Sequence, residues 1–235
     1  MRKNLRQLLL FLLRQCLLKL LRLQMLQSEQ DRLKQLLKIE NSLFESGIRI
    51  LAGVDEVGRG PLSGPVIAAA VSFSRERLAD LSIFAGVNDS KKVKPALREK
   101  LSDIIMSKAD SYAFGIVDEK EIDKINILRA SLKAMEMAAA SLKILPEILL
   151  IDGPYEIKSK LPQKAIIGGD AKSFVIAAAS IIAKVKRDAI MVQYDKEFPM
   201  YGFARHKGYG TAEHIAAIRK YGRCRIHRQC FGKNF

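Results

Sequence analysis

The chain of 235 residues is poor in the features that hold small secreted folds together. Its three cysteines, Cys16, Cys224 and Cys230, are odd in number and sparse. That count argues against a disulfide framework and fits a reducing compartment, so a cytoplasmic location is expected. "CRIHRQC" places His227 between two thiols but lacks a fourth ligand and a familiar zinc spacing, so these are read as incidental tail residues. No acid precedes Glu29, while Arg2, Lys3, Arg6, Arg14, Lys19 and Arg22 all do. The leucine-rich start, Leu5 to Gln27, has its longest apolar run at Leu8–Leu13. Arg14, Gln15, Lys19 and Arg22 interrupt the rest, well short of the roughly 20 apolar residues that span a bilayer. No small-residue cleavage site follows, which argues against a secretory signal. Three readings of this segment stay open: a helix packed on the body, a basic amphipathic helix on a membrane or partner, or an artefact of the start codon, with Met25 as a later start. There is no internal repeat.

What is present is an ordinary globular composition with an unusual charge. Hydrophobic residues make up 49%, and the net charge is +15. Such an excess points to a polyanionic partner, nucleic acid or an acidic membrane surface. The body remains basic without the six early cations. The length allows one sizeable domain with a small appendage: residues 1–40 as a leucine-rich basic helical extension, and residues 41–235 as the main domain.

From Ile48 the pattern becomes strand-like. "IRILAGVDE" reads as a buried strand and Gly64–Phe73 as a second after a Gly/Pro turn. Helical periodicity begins at Pro95. Tyr112–Glu119 reads as a third strand, Ile122–Leu142 as a helix, Pro146–Gly153 as a fourth strand and Lys164–Asp170 as a short fifth. Ala171–Phe198 reads as a long helix and Thr211–Tyr221 as another. This order predicts an α/β domain with a mixed sheet.

Acids close three of these strands. Asp55 and Glu56 end the first, Asp152 ends "LLIDG", and Asp170 stands in "GGDAKS" where strand gives way to helix. Strand ends of α/β sheets are where sites form. Converging carboxylates need positive charge between them, and hard divalent cations such as Mg²⁺ take oxygen ligands. Two such ions suit phosphodiester hydrolysis. Each acid alone also fits a turn or a helix cap, and spacing does not prove convergence. Arg59, between Gly58 and Gly60, fits either a tight turn or a loop whose backbone approaches a ligand, such as a 2′-hydroxyl. Tyr209, beside Lys207 and two glycines, fits a loop tyrosine or a stacking platform. Lys91, Lys172 and Ser173 are phosphate-contact candidates near helix N-termini. His206, His214 and His227 are read as structural or peripheral.

The segments "AGVDEVGRGPLSGPVIAAAV", "NDSKK", "LLIDG", "GGDAKSFVIAAASIIAKVKRD", "YGFARHKGYGTAEH" and "HRQCF" resemble the ribonuclease HII family in order, from Ile48 to Phe231. The resemblance implies an RNase H-like fold: a five-stranded mixed sheet flanked by helices, with a C-terminal helical portion. It implies Mg²⁺- or Mn²⁺-dependent cleavage of RNA in RNA–DNA hybrids and 5′ of ribonucleotides in duplex DNA, leaving a 3′-hydroxyl and a 5′-phosphate. The family's four acids fall on Asp55, Glu56, Asp152 and Asp170, its 2′-hydroxyl-reading motif on Gly58, Arg59 and Gly60, and its stacking tyrosine on Tyr209. A monomer is expected, with a sliding clamp as a partner to seek at the C-terminal tail. Arginine between the glycines separates the chain from the related ribonuclease HIII. The alternatives are another carboxylate nuclease of this fold, such as a resolvase, and a non-catalytic nucleic-acid-binding protein.

Overall fold

The computed structural model describes residue 24 and residues 26–232. Most of the leucine-rich start, including Cys16 and Met25, lies outside the described residues, and so do its membrane and start-codon readings. Among the described residues no helix is long and apolar enough to cross a membrane.

Five strands form one sheet in the order β3-β2-β1-β4-β5. They are β1 (Ile50–Val57), β2 (Val66–Ser74), β3 (Ser111–Val117), β4 (Ile148–Asp152) and β5 (Gln163–Ile166). The first three make an antiparallel meander, while β4 and β5 run parallel to β1. The mixed sheet expected from the sequence is therefore present. Helices cover both faces, which explains why β1 and β2 are apolar almost throughout rather than alternating.

Period-two geometry divides the strand residues between two cores. Leu51, Ala69, Val71, Phe73 and Leu150 face the long helix, residues Phe174–Glu197. Ala52, Val54, Ala68, Ala70 and Ile151 face the helix Ile127–Ala140. Taking the helices in chain order, α1 is Lys38–Glu45, α2 Pro95–Lys108, α3 Glu119–Ile125 and α4 Ile127–Ala140. The long one is α5, followed by α6 (Phe203–His206) and α7 (Ala212–Tyr221). The single helix expected over Ile122–Leu142 is two, because Asn126 adopts φ 68 and its side chain caps α4 by accepting the Arg129 N–H at 3.1 Å. With ψ 165 this backbone lies outside both helical regions, so the helix must break here, and asparagine favours the cap over the helix interior.

The packed body begins well before the boundary expected at residue 41. Residues 26–36 are helical, and Leu33, Leu36 and Leu37 are buried in the same core as Phe73, Phe84 and Phe174. Those three rings meet edge to face with centroids 5.0–5.8 Å apart. Glu40, on α1, is fully buried at the N-terminus of α5. Its Oε1 accepts the Ser173 hydroxyl at 2.6 Å and the Val175 N–H at 3.1 Å. A carboxylate there meets unpaired amides and the positive end of the helix dipole.

The C-terminal portion has its own small core, in which Leu62, Met191, Tyr201, Phe203 and Ile226 pack together. His206, His214 and His227 are buried beside it. The Cys224 N–H donates to His227 Nδ1 at 2.9 Å, so the proton of His227 is on Nε2. That nitrogen lies 3.1 Å from His214 Nε2, whose Nδ1 faces the Tyr209 carbonyl at 2.9 Å. One tautomer of each ring satisfies the whole chain of bonds, and both rings are neutral. With its ring nitrogens used in this way, His227 is a structural residue, not a zinc ligand.

Two outcomes test this packing. A Cβ on Gly53 would sit 2.2 Å from the Val175 carbonyl carbon and 2.5 Å from the Ile176 nitrogen, both backbone atoms of α5. Gly53→Ala should therefore cost about 3 kcal/mol of stability in urea denaturation, the upper range for overpacking. Burial holds His214 and His227 down to about 4. A depressed histidine pKa gives stability that is complete above the unfolded value of about 6.5 and declines as pH falls towards 4. The stability advantage of the wild type over His227→Phe should shrink from pH 7.5 to pH 5. A constant difference would rule out the neutral pair.

Candidate active site

The parallel register sets Val54 opposite Ile151, so the next residues, Asp55 and Asp152, leave adjacent strands side by side. Asp55, Glu56 and Asp152 each offer a carboxylate oxygen, and these oxygens lie within 4.8 Å of one another. Alternation turns Asp55 to the α5 side, where the Ser180 hydroxyl faces it. The Glu56 N–H donates to Asp55 Oδ1 at 2.7 Å. Asp152 Oδ1 accepts the Gly169 N–H at 2.6 Å, which ties the end of β4 to the turn Gly169–Ala171 that carries Asp170. All four acids line one cleft of ≈ 320 Å³ with Gly58, Arg59, Gly60, Lys91 and Tyr209.

The electrostatics of this cleft are those of crowded carboxyl groups. Burial, and then the charges of Glu56 and Asp152, push the Asp55 carboxyl well above the usual range. Glu56 is raised by burial and by Asp152, against Arg59, whose Nη1 lies 3.2 Å from Glu56 Oε1. Asp170 is raised by burial and then by Asp152, with Lys91 opposing. Like charges in a partly dry cleft favour protonation unless a cation joins them. The donor set is all oxygen, with no thiolate or imidazole, and that suits a hard divalent ion.

The other expected residues divide. Gly58 has φ 97, a conformation that favours glycine, and the Tyr209 ring lies 3.7 Å from where a Cβ on Gly60 would stand. Tyr209 thus borders the Gly58–Gly60 loop across the mouth of the cleft. Lys91 is exposed at the rim. Lys172 is exposed next to the turn of Asp170, and its ammonium donates to the Ile167 carbonyl at 2.7 Å. Ser173 does not fit a phosphate-contact role. It is fully buried, its hydroxyl donates to Glu40, and it accepts the Ile176 N–H as the cap of α5. The sequence reading passed over Ser90, Ser180 and Lys184, which also line the cleft. Ser180 lies 3.0 Å from the Ser90 hydroxyl, and Lys184 is bonded to Asp188 at 2.6 Å. Ser180 and Lys184 are spaced i, i+4 on α5, which was the available signal for those two.

The family model for ribonuclease HII matches residues 52–234. A ribonuclease HII from Acetivibrio thermocellus is 52% identical over 209 residues, covering 89% of this chain and 80% of that protein. Another, from Chlamydia caviae, is 51% identical over 193 residues, covering 82% of this chain and 88% of that protein. The solved ribonuclease H2 of Pyrococcus horikoshii OT3 aligns with a TM-score of 0.66 at 29% identity, over 78% of this chain and 94% of that chain. A chain from the PCNA:RNase HII complex of Archaeoglobus fulgidus aligns with a TM-score of 0.64 at 25% identity, over 77% and 95%. Similarity of this extent, along a sheet that ends in clustered acids, leaves one assignment: the chain belongs to the ribonuclease HII family, metal-dependent endoribonucleases that cleave RNA in RNA–DNA hybrids.

Proposed function

We propose that the cleft hydrolyses the phosphodiester 5′ of a ribonucleotide, in hybrid tracts and at single ribonucleotides embedded in duplex DNA, leaving a 3′-hydroxyl and a 5′-phosphate. The observation that carries this is the placement of three carboxylates within 4.8 Å of one another, beside a glycine loop under a tyrosine. Asp55, Glu56, Asp152 and Asp170 are the proposed ligands of Mg²⁺ or Mn²⁺. A pair of such ions would activate the attacking water and neutralise charge on the scissile phosphate.

The chain's own residues supply position and selection. The β1 and β4 backbones fix Asp55 and Asp152, and the Gly169 N–H holds Asp152 in one orientation. Arg59 opposes the protonation of Glu56 that burial favours and bonds its carboxylate at the cleft. Gly58, Arg59 and Gly60 offer main-chain atoms to a 2′-hydroxyl, and neither glycine has a side chain to block the approach. Tyr209 stacks on the sugar or base at the junction. Lys91 and Lys172 meet backbone phosphates, which position the duplex without reading its sequence.

This chemistry suits removal of ribonucleotides from DNA and of RNA primers. Free Cys224 and Cys230, with no disulfide between them, support a reducing, cytoplasmic setting for it. A monomer is the proposed working unit, because all four acids come from one chain. A sliding clamp is a proposed partner, supported by the Archaeoglobus fulgidus relative, whose structure is that of a complex with PCNA.

Asp55→Asn and Asp152→Asn should each lower cleavage of a hybrid at least about a hundredfold, the scale of losing one charge-stabilising group, while the Kd for the hybrid stays similar. Wild-type activity in either variant would remove that residue from the proposed ligands. A duplex with one embedded ribonucleotide should be cut at that position in Mg²⁺ or Mn²⁺, and the all-DNA duplex should stay intact. Equal cutting of both would exclude the 2′-hydroxyl reading.

A further inference from the structure

Two arginines outside the ring of acids are fully buried: Arg187 on α5 and Arg228 in the C-terminal tail. A buried guanidinium ordinarily needs a carboxylate. These two bond instead to main-chain carbonyls. Arg187 donates from Nε to Pro65 at 3.0 Å, from Nη2 to Ser63 at 3.0 Å and from Nη1 to Lys207 at 2.9 Å. Arg228 donates from Nη2 to Gly58 at 2.6 Å, from Nη1 to Arg59 at 3.0 Å, and from Nε and Nη2 to Gly64 at 2.9 and 2.8 Å. The loop from residue 58 to residue 65 is therefore wrapped, carbonyls inward, around two cations.

The tail that brings Arg228 there is itself fixed to the loop. The Gly64 N–H donates to the Ile226 carbonyl at 2.8 Å, and the Arg228 N–H donates to the Leu62 carbonyl at 2.9 Å. The Asp123 carboxylate accepts the N–H groups of Gln229 and Cys230 at 2.8 and 2.9 Å. Burial pushes the Arg228 guanidinium down to about 9, so it remains a cation at neutral pH.

Peptide geometry gives this arrangement a directional consequence. In a trans peptide the C=O of one residue and the N–H of the next point in opposite directions. The described peptide bonds are all trans. Drawing the Gly58 and Arg59 carbonyls onto a buried arginine turns the N–H groups of Arg59 and Gly60 the other way, towards the cleft that both residues line.

We propose that Arg228 is a positioning residue for ribonucleotide selection, aiming the Arg59 and Gly60 N–H donors at the 2′-hydroxyl by holding the two preceding carbonyls. This rests on the reading of Gly58–Gly60 as the loop that meets the sugar. Arg228 touches neither the substrate nor the acids, so its effect belongs to discrimination and not to the chemistry of the cut. Arg187 holds the far side of the same loop and, through Lys207, the base of the Tyr209 loop.

The test compares binding of the full chain to two duplexes of one sequence, all-DNA and with one embedded ribonucleotide, with Ca²⁺ replacing the activating metal. The readout is the ratio of their Kd values. In Arg228→Gln the ratio should fall about tenfold towards unity, the equivalent of one well-made hydrogen bond, with all-DNA affinity within about twofold of wild type. Arg228→Lys keeps the charge but not the planar fork, and should recover only part of the ratio. A role limited to folding would lower the melting temperature and weaken both duplexes together, and that result overturns the proposal. So does an unchanged ratio in Arg228→Gln or, should that variant not fold, in Arg228→Lys. A wild-type ratio near unity would instead refute the reading of Gly58–Gly60, and the role of Arg228 with it.

Discussion

Like charges held together at the end of a sheet are the constraint on which the rest of the molecule depends. Carboxylates whose oxygens lie within 4.8 Å of one another repel, and nothing in their own chemistry keeps them together. They stay because β1 and β4 are neighbours in parallel register and deliver Asp55 and Asp152 to the same level. Gly53 lets α5 lie against β1 at backbone distance, which brings the Ser180 hydroxyl to Asp55. The Glu56 N–H, the Gly169 N–H and the Arg59 guanidinium supply local bonds to Asp55, Asp152 and Glu56 in turn. A rigid, buried sheet is well suited to holding an unfavourable cluster, because relaxing the cluster would require moving the core.

Much of this was legible in the chain. Apolar runs that stop at Asp55, at Asp152 and just before Asp170 marked both the strands and the acids, because a strand buried on both faces carries a continuous apolar signal. The glycines around Arg59 were equally visible. What escaped were facts set by distant partners. Ser173 stands between Lys172 and the long helix, like a phosphate contact, but Glu40, far away in sequence, claims its hydroxyl. A leucine-rich helix reads alike whether it packs on a core or projects from it, which is why three readings of the start stayed open; for residues 26–36 the contacts with the core of Phe73, Phe84 and Phe174 favour the packed one. Arg187 and Arg228 looked like ordinary members of a basic composition. Local pattern carries no sign that a cation is buried on carbonyls.

The histidines show the same limit. Read as structural or peripheral, they are structural: His227 and His214 form a buried, bonded pair that ends on the Tyr209 carbonyl, and His206 stacks on His214, but no local pattern shows that pairing. The C-terminal portion thus adds a polar chain with one consistent set of proton positions to its own small apolar core, while the sheet is held by apolar packing. The two regions share α5, which contributes Ser180 to the acids and Arg187 to the glycine loop.

The contact between Arg228 and the Gly58 carbonyl joins residues separated by 170 positions. Chains are made from the N-terminus, and early parts collapse before later ones exist. A ribosome-bound intermediate that has already emerged past Asp170 owns every acid of the cleft but not the support of the loop beside it. The support of the loop at residues 58–65 is therefore acquired later in synthesis than the sheet that carries the acids.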